Sequence, residues 1–137
     1  ISDCPFNNNT DFRLAELDFL LSNNFADVDC RNWEEDTSFT DPLELYDFLK
    51  VKKPKEELVF SHGDLGDSNI LVKNGKVSGF IDLGRSGKAD KWYDIAFCVR
   101  SIKDIGEEKH VKLFFDLLGI EPDWEKIKYY ILLDELF

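Results

Sequence analysis

One dipeptide, Asn74-Gly75, limits what the middle of this chain can form. It stands between two short apolar runs. A two-residue type I′ turn needs positive φ at both central positions, which asparagine and glycine accept, so the pattern predicts an antiparallel β-hairpin. The simplest register pairs Lys73 with Lys76, Val72 with Val77, Leu71 with Ser78, Ile70 with Gly79, and Asn69 with Phe80.

This register brings Asn69 and Asp82 to one face of the hairpin, as diagonal neighbours. Diagonal side chains of an antiparallel pair lie roughly 7–8 Å apart at Cβ, so an amide oxygen and a carboxylate there can share one cation. Such oxygen ligands suit Mg²⁺, which keeps waters and substrate phosphates as its other ligands. We therefore predict a magnesium site formed by Asn69 and Asp82.

Asp64 stands five residues before Asn69, and Asp82-Leu-Gly84 begins thirteen residues after Asn69. A carboxylate that accepts a proton from an alcohol, followed by an Asn and an Asp that hold Mg²⁺, is the arrangement of a phosphoryl-transfer site. Asp64 is therefore predicted to be the catalytic residue. The alternative for an aspartate beside glycine is a bond to its own backbone in a turn.

Three further residues are predicted to support this loop. His62 could act as a general base, but a histidine ahead of a loop aspartate more often bonds backbone carbonyls and holds the loop shape. Arg85 could contact a phosphate, although an ion pair with a nearby carboxylate is favoured. Asp94 lies in an apolar helical segment, where an unpaired carboxylate would be costly. It is therefore expected to bond the backbone near the catalytic loop.

The chain has 137 residues, enough for one domain with its own core, over 1–137. Its net charge of −11 disfavours a nucleic-acid or anionic-membrane partner and permits a cationic one. No apolar run approaches the roughly 18 residues of a membrane helix. The three cysteines are widely separated and form no Cys-x-x-Cys pair. Neither zinc nor a disulfide framework is expected, which suits a cytoplasmic protein.

Away from the hairpin, the apolar spacing is mostly helical. The predicted elements, in order, are a helix from Thr10 as cap to about Ser22, a helix opened by Asp41-Pro42, a strand at Leu58–Ser61, a polar connection over 84–90, and helices at about 91–102, about 107–118 and from Asp123 onward. Helices with one embedded hairpin make the predicted fold class α+β, mainly α.

Two acidic clusters could bind a cation. The first is Glu34-Glu35-Asp36, and the second combines Asp134 and Glu135 with the α-carboxylate of Phe137. Runs of charge are more often solvated surface, so spacing alone leaves both roles open.

The motifs of a nucleotide-binding lobe are missing from the sequence. No glycine-rich phosphate loop, strand lysine of the Val-Ala-Ile-Lys kind or partner glutamate precedes His62. The chain also contains no methionine, not even at position 1. We therefore expect a piece of a longer protein that lacks its N-terminal nucleotide lobe and is inactive alone.

Several runs of residues carry a resemblance to a known family. The run His62-Gly-Asp-Leu-Gly-Asp-Ser-Asn69, with Gly where protein kinases have Arg, resembles the small-molecule phosphotransferases of the kinase-like superfamily. The runs Phe80-Ile-Asp-Leu-Gly-Arg85, Lys91-Trp-Tyr-Asp-Ile-Ala-Phe-Cys-Val-Arg100 and Tyr129-Tyr-Ile-Leu-Leu-Asp-Glu-Leu-Phe137 are similar to the aminoglycoside 3′-phosphotransferases (kanamycin kinases) of the Gram-positive type. The resemblance covers essentially the whole chain.

The resemblance implies the C-terminal lobe of the protein-kinase-like fold. It also implies ATP-dependent phosphorylation of the 3′-hydroxyl of aminoglycoside antibiotics, and hence resistance. By match of motif, Asp64 would be catalytic, and Asn69 and Asp82 would hold Mg²⁺. The carboxylates that would meet drug ammonium groups are those of Glu34, Glu35, Asp134, Glu135 and the Phe137 terminus. One departure is Arg31, which stands where an acid is expected.

Two other interpretations remain open. The chain could be a binding module that holds a cationic drug or a partner chain and transfers nothing, because it lacks a nucleotide lobe. It could also belong to another small-alcohol kinase, such as one for a sugar or a macrolide. The carboxylate-rich end of the chain disfavours an uncharged substrate.

Overall fold

The computed structural model describes residues 1–25, Cys30, Trp33 and 38–137. Its elements are helix α1 at Thr10–Ser22, helix α2 at Pro42–Val51, strands β1 at Leu58–Ser61, β2 at Ile70–Lys73, β3 at Lys76–Phe80 and β4 at Gly87–Asp90, and helices α3 at Lys91–Ile105, α4 at Glu108–Leu118 and α5 at Trp124–Asp134. Short 3-10 turns cover Asp67–Asn69 and Leu83–Arg85. This arrangement confirms the predicted α+β, mainly α, fold class. Within the described ranges, no helix has the length and apolar character needed to cross a membrane.

Side chains at the helix N-termini explain where the helices begin. Asn9 caps α1, because its side chain accepts a hydrogen bond from the Phe12 amide. The prediction that Thr10 is the cap was therefore wrong by one residue. Thr10 is the first helical residue, and its amide and hydroxyl both donate to the Glu56 carboxylate at 2.8 Å. Asp41 caps α2 as predicted, by accepting from two amides of the first turn.

The helical core forms around α3 and α5. The rings of Tyr93 and Tyr130 meet edge to face, with 5.5 Å between their centroids. Each fully buried large apolar side chain stabilises the fold by about 1.5–3 kcal/mol. The buried apolar residues contributed by the helices include Leu14, Leu17, Leu45, Leu49, Trp92, Ala96, Phe97, Val99, Val111, Phe115, Ile127, Leu132 and Leu133.

A small antiparallel sheet carries the chain into the loop that follows β1. Strand β1 pairs with β4 from Leu58 opposite Asp90 to Ser61 opposite Gly87. The polar connection predicted over 84–90 therefore ends in a strand that the sequence did not reveal. Its residues, Gly-Lys-Ala-Asp, have low β-propensity, and the backbone hydrogen bonds offered by β1 make them a strand.

The predicted hairpin forms, with Asn74 and Gly75 at φ of 53° and 72°. Its register near the turn is as predicted, but a bulge between Leu71 and Val72 shifts the rest by one residue. Leu71 pairs with Gly79 rather than with Ser78, so the predicted register was wrong beyond the bulge. Ser78 is the extra residue, and its hydroxyl donates to the Leu71 carbonyl at 3.2 Å.

Candidate active site

The loop after β1 is held from one side by a single carboxylate. The backbone amides of His62 and Gly63 donate to the two oxygens of Asp94, at 2.8 and 2.9 Å. Asp94 lies in the first turn of α3, where the helix dipole also favours a negative charge. Charge-assisted hydrogen bonds of this kind contribute about 1.5–3 kcal/mol each. The carboxylate therefore fixes the loop backbone immediately before Asp64.

The N-terminus of α3 is itself anchored by a second carboxylate, which is buried. Asp90 is fully buried and accepts hydrogen bonds from the Trp92 amide at 3.3 Å, the Lys126 ammonium at 2.9 Å and the Tyr130 hydroxyl at 3.0 Å. These contacts tie the start of α3 to α5. Because Asp94 lies one turn further along α3, the same contacts determine where its carboxylate meets the loop.

Gly63 allows the loop to pass directly against the turn that follows the hairpin. Its φ is +85°, and a Cβ at this position would lie 2.1 Å from the Arg85 carbonyl oxygen. A side chain is therefore excluded by both the backbone conformation and the backbone contact. Glycine at this position permits the catalytic-type loop and the turn after Asp82 to touch.

His62 makes a second connection between the same two segments. Its ring is buried, and its Nε2 donates to the Ile81 carbonyl at 2.9 Å. The other ring nitrogen, Nδ1, is buried and has no hydrogen-bond partner among the described residues. The ring thus links the start of the loop to the residue immediately before Asp82.

Asp64 and Asn69 are joined within the loop itself. The Asn69 side-chain nitrogen donates to the Asp64 carbonyl at 2.8 Å and to the Asp64 carboxylate at 3.2 Å. The Gly66 amide also donates to the Asp64 carbonyl, at 3.0 Å. Because the amide nitrogen of Asn69 is engaged, its side-chain oxygen is the atom left to ligate a cation. The donor set therefore fits a hard cation such as Mg²⁺.

The backbone that leads from the hairpin to Asp82 differs from the predicted one. The bulge places Asn69 opposite Ile81, whose amide donates to the Asn69 carbonyl at 3.1 Å. Asp82 follows in the left-handed conformation, with φ 58° and ψ 55°. Left-handed backbone is uncommon outside glycine, and such strain is characteristic of functional sites. The diagonal pairing predicted for Asn69 and Asp82 is thus replaced by a shifted register and a left-handed residue.

No group of three or more His, Cys, Asp or Glu side chains in the described part of the chain could hold a metal ion. Asn69 and Asp82 together offer one amide oxygen and one carboxylate. Mg²⁺ commonly takes few protein ligands and keeps waters and substrate phosphates for its remaining positions. A two-residue ligand set is therefore compatible with Mg²⁺ bound together with a nucleotide, and it does not suit a metal enclosed by protein side chains.

The acidic end of the chain lies beside the loop. Asp134 accepts from the Arg100 guanidinium at 2.8 Å, and each side chain of this pair is about a quarter exposed. Burial raises the pKa of Asp134, and Arg100 partly offsets that rise. The nearby Asp64 carboxylate also raises the pKa of Asp134. The Asp64 carboxylate is therefore near enough to Asp134 to act on it electrostatically.

The last residues turn back after α5. The Phe137 amide donates to the Asp134 carbonyl at 3.1 Å, and the Glu135 carbonyl accepts from the Trp33 indole nitrogen at 3.1 Å. The Phe137 ring lies over the guanidinium of Arg85, at 4.8 Å from its centroid. Asp134, Glu135 and Phe137 are therefore brought together beside Arg85 and the loop.

Arg85 pairs with a carboxylate that the sequence analysis did not single out. Its Nη1 lies 3.5 Å from the Glu16 carboxylate of α1. Glu34 and Glu35, the other predicted drug-binding residues, lie outside the described residues, as does Arg31.

Sequence reasoning also missed Arg13 and Arg100 as neighbours of the site. Arg100 carried one signal, because a charged residue in the apolar segment that becomes α3 requires a partner. Arg13 carried none, since an arginine in an amphipathic helix is normally solvated.

Comparison with known proteins identifies the family. Residues 1–130 match the family model described as phosphotransferase enzyme family. An aminoglycoside 3′-phosphotransferase from Enterococcus faecalis is 82% identical over 138 residues, which cover 100% of this chain and 52% of the relative. The corresponding enzyme from Staphylococcus aureus is 80% identical, with the same coverage. The chain thus spans about half the length of these curated relatives, and the predicted resemblance is confirmed.

Solved structures agree with the sequence matches. The crystal structure of an aminoglycoside 3′-phosphotransferase of type VIII superposes with a TM-score of 0.83 at 27% identity, covering 99% of this chain and 54% of that one. An aminoglycoside phosphotransferase from Streptomyces rimosus, in complex with ADP and streptomycin, gives 0.83 at 26% identity, covering 98% and 55%. These neighbours confirm the kinase-like fold predicted from the loop motif. The chain therefore belongs to the phosphotransferase enzyme family.

Proposed function

We propose that this chain supplies the catalytic loop and the substrate-binding carboxylates of an enzyme that phosphorylates the 3′-hydroxyl of aminoglycoside antibiotics, with ATP as co-substrate, and so confers resistance. The observation that carries the proposal is the geometry around Asp64. Its carboxylate is bound to Asn69, its loop is held by Asp94, and it lies close enough to Asp134 to raise the pKa of that acid. The names of the similar enzymes and the ADP complex of a structural neighbour support the substrate classes.

In this proposal Asp64 orients the drug hydroxyl and accepts its proton as the phosphoryl group is transferred. The Asn69 side-chain oxygen and the Asp82 carboxylate would hold Mg²⁺. When bound, the ion neutralises charge on the nucleotide phosphates. His62 and Asp94 keep the loop in the shape that presents Asp64, and neither touches the reacting atoms.

Substrate recognition in this proposal is electrostatic. Aminoglycosides are polycations, and the chain carries a net charge of −11. Asp134 and Glu135, with Phe137 beside them, would meet drug ammonium groups, together with Glu34 and Glu35 from the segment outside the described residues. Complementary charge speeds encounter and fixes orientation more than it adds affinity. Drug binding is therefore expected to weaken as salt concentration rises.

The test of the catalytic role uses an assembled enzyme, in which the N-terminal half of a close relative is joined in front of this chain. Asp64→Asn keeps the size of the side chain and removes the base, so kcat should fall by about 10²–10⁴-fold, with little change in the drug KM. The matched control is Asp116→Asn on the exposed face of α4, where Asp116 forms an ion pair with Lys112. A kcat within twofold of the unmutated enzyme would exclude the proposed role of Asp64.

The test of the metal site uses Asp82→Asn in the same assembled enzyme. Asparagine accepts the left-handed backbone of residue 82, so the substitution removes charge without adding backbone strain. The Mg²⁺ concentration for half-maximal activity should rise at least about tenfold, by comparison with the 10–100-fold losses typical of weakened metal sites. An unchanged Mg²⁺ requirement would remove Asp82 from the ligand set.

A further inference from the structure

Four side chains from distant parts of the sequence form a cluster that has no role in the proposed mechanism. The Phe137 ring contacts two guanidinium groups, with its centroid at 3.6 Å from Cζ of Arg13 and 4.8 Å from Cζ of Arg85. The Glu16 carboxylate lies 3.6 Å from Arg13 Nη1 and 3.5 Å from Arg85 Nη1. We call Arg13, Glu16, Arg85 and Phe137 the arginine–phenylalanine cluster. It joins α1, the turn after Asp82 and the last residue.

Arg13 is an unusual residue to find at this position. It is only 1% exposed, and none of its three guanidinium nitrogens has a hydrogen-bond partner among the described residues. A buried charge without hydrogen bonds is costly unless something else compensates it. The compensation here comes from Glu16 and from the ring faces of Phe137 and Tyr93, the latter at 5.6 Å. Arginine suits this arrangement because its planar, weakly hydrated group stacks on aromatic rings.

The cluster links the two parts of the candidate site. Arg85 ends the 3-10 turn that begins after Asp82, and its carbonyl contacts Gly63 of the catalytic-type loop. Phe137 hydrogen-bonds back to Asp134 through its amide. The contact between the Phe137 ring and Arg85 therefore joins two turns. It fixes the turn that bears Asp134 and Glu135 relative to the turn that bears Asp82.

We propose that Arg13 and Glu16 are positioning residues for substrate recognition. Through the Phe137 ring and the Arg85 guanidinium, they hold Asp134 and Glu135 where a polycationic substrate meets them. This inference rests on the proposed function, because it assigns those carboxylates to the substrate. Neither Arg13 nor Glu16 touches the reacting atoms, so their loss acts on substrate affinity and leaves the chemical step unchanged.

The surroundings of the cluster make variants practical. A cavity of about 590 Å³ borders it, with Arg13, Glu16, Arg85 and Phe12 among the lining residues. Shortening Arg13 would extend a cavity that is already open rather than create a sealed void in the core. The Phe137 ring is 37% exposed, and leucine keeps an apolar side chain at this position.

The experiment measures steady-state kinetics of the assembled enzyme with kanamycin and ATP. Arg13→Leu and Phe137→Leu should each raise the kanamycin KM about tenfold, with kcat and the ATP KM within twofold of the parent. A tenfold change corresponds to about 1.4 kcal/mol, which is within the range for desolvated cation–π contacts. Phe137→Tyr keeps a ring and should retain the parent KM. Lys112→Leu on exposed α4 is the matched charge-removing control.

A second measurement separates positioning from general stability. Hydrogen exchange at the Phe137 amide, which donates to Asp134, should accelerate in Arg13→Leu and Glu16→Gln while exchange in the α3 core is unchanged. If Arg13→Leu does not fold, Glu16→Gln and Phe137→Leu decide the question, and an unchanged kanamycin KM in either would contradict the positioning role.

The outcomes distinguish the inference from the proposed function. If the unmutated assembled enzyme does not phosphorylate kanamycin, the proposed function is wrong. If the parent enzyme is active and Phe137→Leu leaves the kanamycin KM unchanged, or lowers kcat alone, the positioning role is wrong. The proposed function is not affected by that result. A raised KM in Phe137→Leu that Phe137→Tyr does not show would support it.

Discussion

The catalytic-type loop at 62–69 and the C-terminal turn at 134–137 lie side by side but are held in different ways. Backbone atoms fix the loop: two of its amides donate to Asp94, and Gly63 packs against the Arg85 carbonyl. Side chains fix the turn, through the ion pair between Asp134 and Arg100 and the stacking of Phe137.

This difference suits the two tasks assigned to the regions. A proton acceptor must be placed to within a fraction of an ångström, and backbone hydrogen bonds to the half-buried Asp94 carboxylate give that precision. A surface that recognises drugs tolerates small shifts, and one of its side-chain contacts can be replaced while the others remain. We therefore expect changes in the loop to lower kcat and stability sharply, and changes at the C-terminal turn to have smaller effects.

The largest effect is expected from Gly63→Ala. The added Cβ would lie 2.1 Å from the Arg85 carbonyl oxygen at a φ of +85°, so either the loop or the turn must move. We expect a loss of more than about 3 kcal/mol in the free energy of unfolding and loss of activity. Gly75→Ala is the matched control, because its φ is +72° and nothing lies within 4 Å of the new Cβ. That variant should lose only about 1–2 kcal/mol in urea unfolding.

The next effect is expected from Asp94→Asn. One side-chain oxygen remains to accept from either His62 or Gly63, while the other position becomes an NH₂ group that faces an amide donor. Loss of one charge-assisted hydrogen bond should cost about 1.5–3 kcal/mol, and kcat should fall more than the drug KM rises. Kinetics and urea unfolding of the assembled enzyme check both parts. A rise in KM alone would contradict the loop-holding role.

A smaller effect is expected at the C-terminal turn from Arg100→Gln. The change leaves the partly buried Asp134 carboxylate without its guanidinium and should lower the free energy of unfolding by about 1–2 kcal/mol. Adding Asp134→Asn should recover part of the loss, because no carboxylate is then left uncompensated. A double-mutant cycle in urea measures this coupling. Additive losses would show that the pair contributes nothing to stability.

The smallest effect is a pH dependence. Burial raises the pKa of Asp134 above its ordinary 3.8, despite the opposing effect of Arg100. As pH rises from 3.8 through that raised pKa, the unfolded chain ionises first, so this acid's contribution to stability is lost. Relative to Asp134→Asn, the free energy of unfolding of the parent should therefore fall with rising pH in this window. Urea titrations across the window test the sign, with Asp116→Asn as the exposed control, and a rising difference would contradict it.

Local signals predicted most of the elements. The Asn74-Gly75 turn, the Asp41 cap of α2 and the bounds of β1 all follow from rules that act over a few residues. The bulge at Leu71 and Val72 escaped prediction, because register depends on which face of each strand is buried and on where the chain must go next. Strand β4 escaped for a related reason, since its partner β1 lies 26 or more residues earlier in the chain.

The sequence by itself determined the α+β class, the hairpin and the spacing of Asp64, Asn69 and Asp82, because turns, caps and motifs are local in the chain. Only the tertiary structure decided that a bulge would shift the hairpin register next to Asn69 and that Asp82 would take a left-handed backbone conformation. It alone also placed Arg13 of α1 against Phe137 at the far end of the chain. Contacts between distant residues depend on how whole elements pack, and no pattern within a short window of sequence encodes that packing.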